Sequence, residues 1–405
     1  MKVDPDGAGF DAERLERITE HFDKRYVETG KIAGCQIAVV RRGSLAYWRS
    51  LGLMDRERSK PVENDTIWRI YSMTKPLTSV ALMQLYEQGL FQLNDPIHRY
   101  IEEWRDLSVG EFEADGSIRR IEPVRPMNVR DALTHMTGLA GSLVPGHPTD
   151  DDFAAAVHEA RHGMTLERVC TLLAGYPLKF QPGTRWNYGL STDICARLVE
   201  ILSGEPFDRY LQAHIFEPLG MVDTGFSVPD ASVDRFAACY RYRRGGPPVL
   251  MEDPEHSTYR RQRSYLSGAG GLVSTTLDYL RFCQSLVGRG ELDGRRIIGR
   301  KTLELMTCNH LPGDGDLARF ASGGFGEADF EGTGFGLGFA VGQGPAATGT
   351  AGSAGEYYWG GAASTAFWVD PVEDLAVVFM TQLLPSVSYP FRPQLRALVY
   401  QAMVD

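Results

Sequence analysis

This sequence is short of several common signals, and each absence narrows what the chain can do. It has no Cys-x-x-Cys, and its six cysteines, at 35, 170, 195, 239, 283 and 308, stand far apart. That removes the spacing signals of a structural zinc or a redox pair and predicts free, mostly buried thiols in a reducing compartment. No stretch approaches ~18 uninterrupted apolar residues, so no membrane-spanning helix is expected. The opening MKVDPDGAGF lacks a charged and apolar leader, and a cytoplasmic location follows as the expectation. Basic excess is missing too: 42 Lys and Arg face 52 Asp and Glu, a net charge of −10, which argues against a nucleic-acid partner. The Gly-x-Ser-x-Gly elbow of the common lipases occurs nowhere.

What is present is ample apolar material, 43% of 405 residues, in patterns that change along the chain. Leu15, Ile18, Phe22 and Tyr26 form one stripe, predicting a helix over 11–28 that stops before Gly30. Two β-type runs, 35–41 and 45–51, read as a hairpin joined at Arg-Gly-Ser. After Lys75 the pattern is mainly helical, including 191–204, with Ser191 as the expected cap and Gly204 as the stop. A glycine-rich turn and short strand precede a helix from about Thr276. Near the end, STAFWV and LAVVFM flank DPVED as a second hairpin, and a helix over 392–403 closes the chain. The glycine-rich stretch 313–336 reads as a mobile loop. Hairpins at both ends predict one mixed, mainly antiparallel sheet built from both termini. The expected division is an α/β part, 1–75 and 265–405, and an inserted, mainly helical part, 76–264, with the site between them.

The chemistry concentrates at Ser72-Met73-Thr74-Lys75, the one Ser-x-x-Lys in the chain. A serine hydroxyl needs a neighbouring base to act as a nucleophile. Lysine can be that base only when burial or nearby positive charge disfavours its ammonium form. On a helix the three-residue spacing puts both side chains on one face. A helix starting near Ser72 would also aim free backbone N–H groups at the serine's reaction partner. The plainer alternative is a helix-capping serine and a solvated lysine, so partners are needed. Tyr188, in PGTRWNYGLSTD, can relay a proton or be a half-buried tyrosine bonded to backbone. Gly360 and Gly361, in EYYWGGAASTAFWV, can admit a substrate close to a strand's backbone or mark an ordinary turn.

Taken in order, these residues resemble the serine β-lactamase and penicillin-binding-protein superfamily, most of all the family VIII carboxylesterases and the class C β-lactamases. The stretches 128–141, 215–226 and 268–282 are similar to recurring phrases of the same family. The resemblance implies a β-lactamase/transpeptidase-like α/β (α+β) fold and a cofactor-free, metal-free serine hydrolase acting on a small-molecule ester. It implies Ser72 as nucleophile, Lys75 as its base or proton shuttle, Tyr188 as second acid/base, and the N–H groups of Ser72 and Ala362 as oxyanion hole. Two departures are informative. The family's Tyr-x-Asn is Tyr188-Gly189-Leu190 here, and its Lys-Thr-Gly is Trp359-Gly360-Gly361, as in family VIII esterases. Trp359 offers an apolar wall where antibiotic-hydrolysing relatives place a cation, which favours an uncharged ester of short to medium acyl length. An acyltransferase, or a β-lactamase or amide hydrolase, shares the acyl-enzyme and is the alternative.

Four further features invite roles. His135 is expected to be a buried structural histidine. His158 and His162 have helical i,i+4 spacing but no third metal ligand in sequence. The arginine–aromatic stretches 240–246 and 259–263 are expected to be solvated loops beside the cleft, with Tyr240 or Tyr242 reaching the acyl or alcohol pocket.

Overall fold

The alternating runs at the two ends of the chain do pair with each other. In the computed structural model, which describes residues 2–113, 117–141, 147–160, 163–322 and 330–405, eight strands form one sheet. They are β1 (Gly34–Arg41), β2 (Ser44–Asp55), β3 (Lys60–Pro61), β4 (Thr333–Phe335), β5 (Ala340–Gly342), β6 (Tyr357–Gly360), β7 (Ala366–Asp370) and β8 (Leu375–Thr381). Their order is β4-β5-β6-β7-β8-β1-β2-β3, antiparallel at every junction. The first and last thirds of the sequence meet where Ile37 lies opposite Phe379 and Val39 opposite Val377. The first hairpin turns on Arg42 (φ 50°) and Gly43 (φ 76°), the two positive φ values a tight two-residue turn requires.

Both faces of the sheet are covered, so β1 is buried along its whole length and alternate residues enter different cores. Ile37, Val39, Val377 and Phe379 join a cluster beneath α1 (Ala12–Phe22) and the closing helix Phe391–Tyr400. Ala38, Val40, Val378 and Met380 face the larger cluster, which also contains α2 (Thr74–Glu87), α3 (Ser191–Ser203) and α4 (Thr276–Val287). Helix α2 is buried over its first twelve residues, as a helix running through a core must be. Among the described residues no helix is long and apolar enough to cross a membrane.

Local details depart from the sequence expectations. Beyond Phe22 the first helix widens at Asp23–Val27, where Glu28 N–H bonds Asp23 C=O. Ser191 is not a cap: Leu190 holds that position without a side-chain bond, and the Ser191 hydroxyl lies 3.0 Å from Thr137 Oγ1. Ser72 sits in a 3₁₀ turn, Tyr71–Met73, that leads into α2. The stretch 313–336 is not one loop, since it contains a short helix, Leu317–Phe320, and strand β4; residues 323–329 lie outside the described residues.

Candidate active site

Two helices and one glycine-rich turn converge where the sequence placed its nucleophile. The 3₁₀ turn before α2 presents Ser72, and one helical turn later Lys75 Nζ donates to Ser72 Oγ at 3.2 Å. A second donation, 2.7 Å to the Ala269 carbonyl, comes from the turn 267–271. The same amine stands 4.4 Å from the centre of the Tyr188 ring. Both side chains are almost fully buried, although each touches a cleft of about 1370 Å³. Tyr71, just before Ser72, holds φ at 42°, a conformation a bulky residue adopts only where its surroundings enforce it.

Tyr188 is held on every side. Trp359 Nε1 donates to its hydroxyl at 3.1 Å, its ring stacks on Trp186 at 5.6 Å, and the His135 ring lies 4.9 Å away. The preceding residue anchors the segment: Asn187 N–H donates to the His135 carbonyl, and Lys179 donates to both Asn187 Oδ1 and Asp150 at 2.9 Å. Burial pushes the Lys179 ammonium down from its ordinary value, against the pull of Asp150. His135 is buried, 3.4 Å from Thr192 Oγ1, and burial with the nearby Lys75 charge holds its pKa well below the usual value.

The turn 267–271 explains its own glycines. A Cβ on Gly268 would come within 2.6 Å of Ala196 Cβ and 2.9 Å of the Thr192 carbonyl. Thr78 Oγ1 donates to the Gly268 carbonyl at 2.8 Å, so the turn is clamped between α2 and α3. From α3, the buried Asp193 carboxylate accepts from Ser267 Oγ at 2.7 Å and from Ala269 N–H at 3.3 Å. Burial raises the Asp193 pKa, while Ser267, Lys75, Ala269 and Tyr265 act to lower it.

Ser72, Lys75, Tyr188 and Trp359 are thus brought together, and Ser72 and Ala362 both line the cleft. Among the described residues, neither the Ser72 nor the Ala362 backbone N–H has a protein acceptor. The other expected pocket residues are placed differently. Gly360 ends β6 and Gly361 follows it, and the space beside them is filled by protein. A Cβ on Gly361 would meet Thr365 Oγ1 at 2.2 Å and the Ile70 carbonyl at 2.5 Å, and one on Gly360 would meet the Arg392 guanidinium. Trp359 is 1% exposed and lies behind Tyr188. Tyr240 and Tyr242 are not on the cleft lining. Tyr240 donates to Glu57 at 2.5 Å and accepts from Arg56 N–H, and Tyr242 packs edge-on against Tyr389. The wall is supplied instead by 255–258 and 260–265, with Arg260, Arg261 and Arg263, so of the two arginine–aromatic stretches the second borders the cleft. Tyr71, Asp193, Tyr265 and Ala269 were not singled out from sequence. An aspartate in a helix's first turn reads as ordinary compensation of the helix dipole. His162 lies outside the described residues, and among those described no cluster of three or more His, Cys, Asp or Glu could hold a metal.

A family model described as Beta-lactamase matches residues 16–401. Esterase EstB of Burkholderia gladioli is 32% identical over 430 residues, covering 98% of each chain. Acyltransferase mokF of Monascus pilosus is 30% identical over 292 residues, covering 69% of this chain and 67% of that one. Among solved structures, EstCE1, described as a hydrolase with promiscuous acyltransferase activity, superposes with a TM-score of 0.79 at 25% identity, covering 96% of this chain and 99% of the other.

Proposed function

The chain belongs to the beta-lactamase family, and from that premise we propose that it is a serine carboxylesterase hydrolysing short- to medium-chain esters through an acyl-enzyme on Ser72. The observation that carries the reading is the 3.2 Å contact between Lys75 Nζ and Ser72 Oγ, made under the face of Tyr188. In this scheme Ser72 Oγ attacks the ester carbonyl as its proton passes to the Lys75–Tyr188 pair. The N–H groups of Ser72 and Ala362 stabilise the oxyanion that develops. Collapse of the tetrahedral intermediate breaks the bond to the alcohol, which leaves with the proton held by the pair. Water then adds to the acyl-enzyme, and the acid departs as Ser72 regains its proton. Side chains and backbone donors suffice for every step, with no metal or cofactor.

The same reading divides the chain into an α/β part, 1–75 and 265–405, and a helical part, 76–264. It is supported by a cleft lined from both, by Ser72 and Ala362 on one side and Leu190 and Asp193 on the other. A cytoplasmic location belongs to the proposal as well.

Labelling with a fluorophosphonate followed by peptide mapping tests the site. The label is expected on Ser72, and Ser72→Ala is expected to abolish ester hydrolysis. A label elsewhere, or full activity in the variant, overturns the reading. One observation favours acyl transfer as a second reading. The cleft's ~1370 Å³ exceeds the roughly 300–1,000 Å³ that suits one small ligand, leaving room for an acyl group and an acceptor alcohol together. Product analysis with a competing alcohol separates the two, since a transferase yields ester in excess of free acid.

A further inference from the structure

Helix α3 delivers a second functional side chain besides placing Tyr188 before its start. Asp193 is 1% exposed, yet its residue borders the cleft, and its carboxylate holds the turn 267–271 from the side opposite Lys75. The connection is short. Ser267 Oγ and Ala269 N–H donate to Asp193 Oδ1, and the Ala269 carbonyl in turn accepts from Lys75 Nζ at 2.7 Å. The turn cannot take up slack elsewhere, because Gly268 is pressed against Thr192 and Ala196 and its carbonyl is bonded to Thr78.

We propose that Asp193 is a positioning residue for the acylation step: through Ser267 and Ala269 it fixes the carbonyl that holds Lys75 against Ser72. The proposal rests on the reading of Ser72 and Lys75 as nucleophile and proton carrier. Asp193 fixes that carbonyl from a rigid mount, being buried on α3 and bonded to the turn at two points.

The test is kcat and KM for ester hydrolysis, with the thermal midpoint, for wild type, Asp193→Asn and Ser267→Ala. Asp193→Asn is expected to lower kcat about ten-fold or more with KM within about two-fold and the thermal midpoint unchanged. Ser267→Ala removes one of the two bonds to the carboxylate, so kcat falls by a smaller factor, again with KM kept. A wild-type kcat in either variant overturns the inference. So does a loss of activity that merely follows a fall in thermal midpoint. Ser72→Ala distinguishes the two levels of failure. If it is inactive while Asp193→Asn behaves as wild type, the inference alone falls. If it is fully active, the reading beneath falls and takes the inference with it.

Discussion

Trp359 donates its indole N–H to the hydroxyl of Tyr188 at 3.1 Å, with both side chains buried. Trp359, expected from the sequence to offer an apolar wall, therefore acts on the tyrosine rather than forming an open wall for substrate. Its loss as a donor has a cost of about 1–2 kcal/mol, the usual range for a buried hydrogen bond, or roughly ten-fold in rate. Trp359→Phe keeps the ring and removes the donor. It is expected to lower kcat by about that factor with little change in KM, measured on a chromogenic ester. An unchanged kcat would show that the bond is incidental.

Gly361 matters for what it leaves room for. A methyl there would sit 2.5 Å from the Ile70 carbonyl and 2.2 Å from Thr365 Oγ1, and Ile70 is two residues from Ser72. Gly361→Ala must push β6 and the Ser72 turn apart, an overpacking that costs typically about 1–3 kcal/mol. Reduced thermal stability together with at least a ten-fold loss of kcat is the expected result. Wild-type values on both counts would refute the packing argument.

Acid should destabilise the fold through His135. Burial holds its folded pKa well below the ordinary 6.5, so the unfolded chain binds the proton that the folded one refuses. Stability from this residue is fully present above pH 6.5 and is lost as pH falls towards the folded value. The slope is at most about 1.4 kcal/mol per pH unit. His147 and His310, also pushed down chiefly by burial, act in the same direction. Between pH 7.5 and 5 the urea midpoint of wild type should fall relative to that of His135→Asn, asparagine being suited to the φ of 57° found there. Parallel pH profiles for the two proteins contradict the assignment.

Five cysteines are buried and one, Cys308, is exposed. A thiol reacts as its thiolate, and burial suppresses that form, so a disulfide reagent at pH 8 should modify one thiol per native chain and six in denaturant. Rapid reaction of two or more native thiols would mean the cores open readily.

The sheet was legible because its signal is local: STAFWV and LAVVFM are short runs of apolar, strand-forming residues on either side of DPVED, and β7 and β8 send alternate residues into two cores. The meeting of Ser72, Lys75 and Tyr188 was legible because the chemistry proposed for them fixes residue type and spacing. Asp193 was not, since its first-turn position is common and its burial depends on the turn 267–271 arriving from 74 residues away. Tyr240 and Tyr242 misled for a related reason. Aromatics on a short strand announce burial, but the pattern does not say on which side of the protein the cleft opens. The glycines at 360 and 361 signal close approach, and only the fold reveals that protein, not ligand, makes it.

Strand β1 bonds on one edge to β2, its neighbour in sequence, and on the other to β8, at residues 375–381. During synthesis the early hairpin therefore leaves the ribosome with an open edge that waits for residues 375–381. At about 5–20 residues per second, that edge stays open for roughly twenty seconds to a minute. Through that interval Val39 and Ile37 lack their partners, and the nascent chain is at its most vulnerable to aggregation. Protection by chaperones, or slower growth at lower temperature, should therefore raise the yield of folded protein more than any change near the cleft.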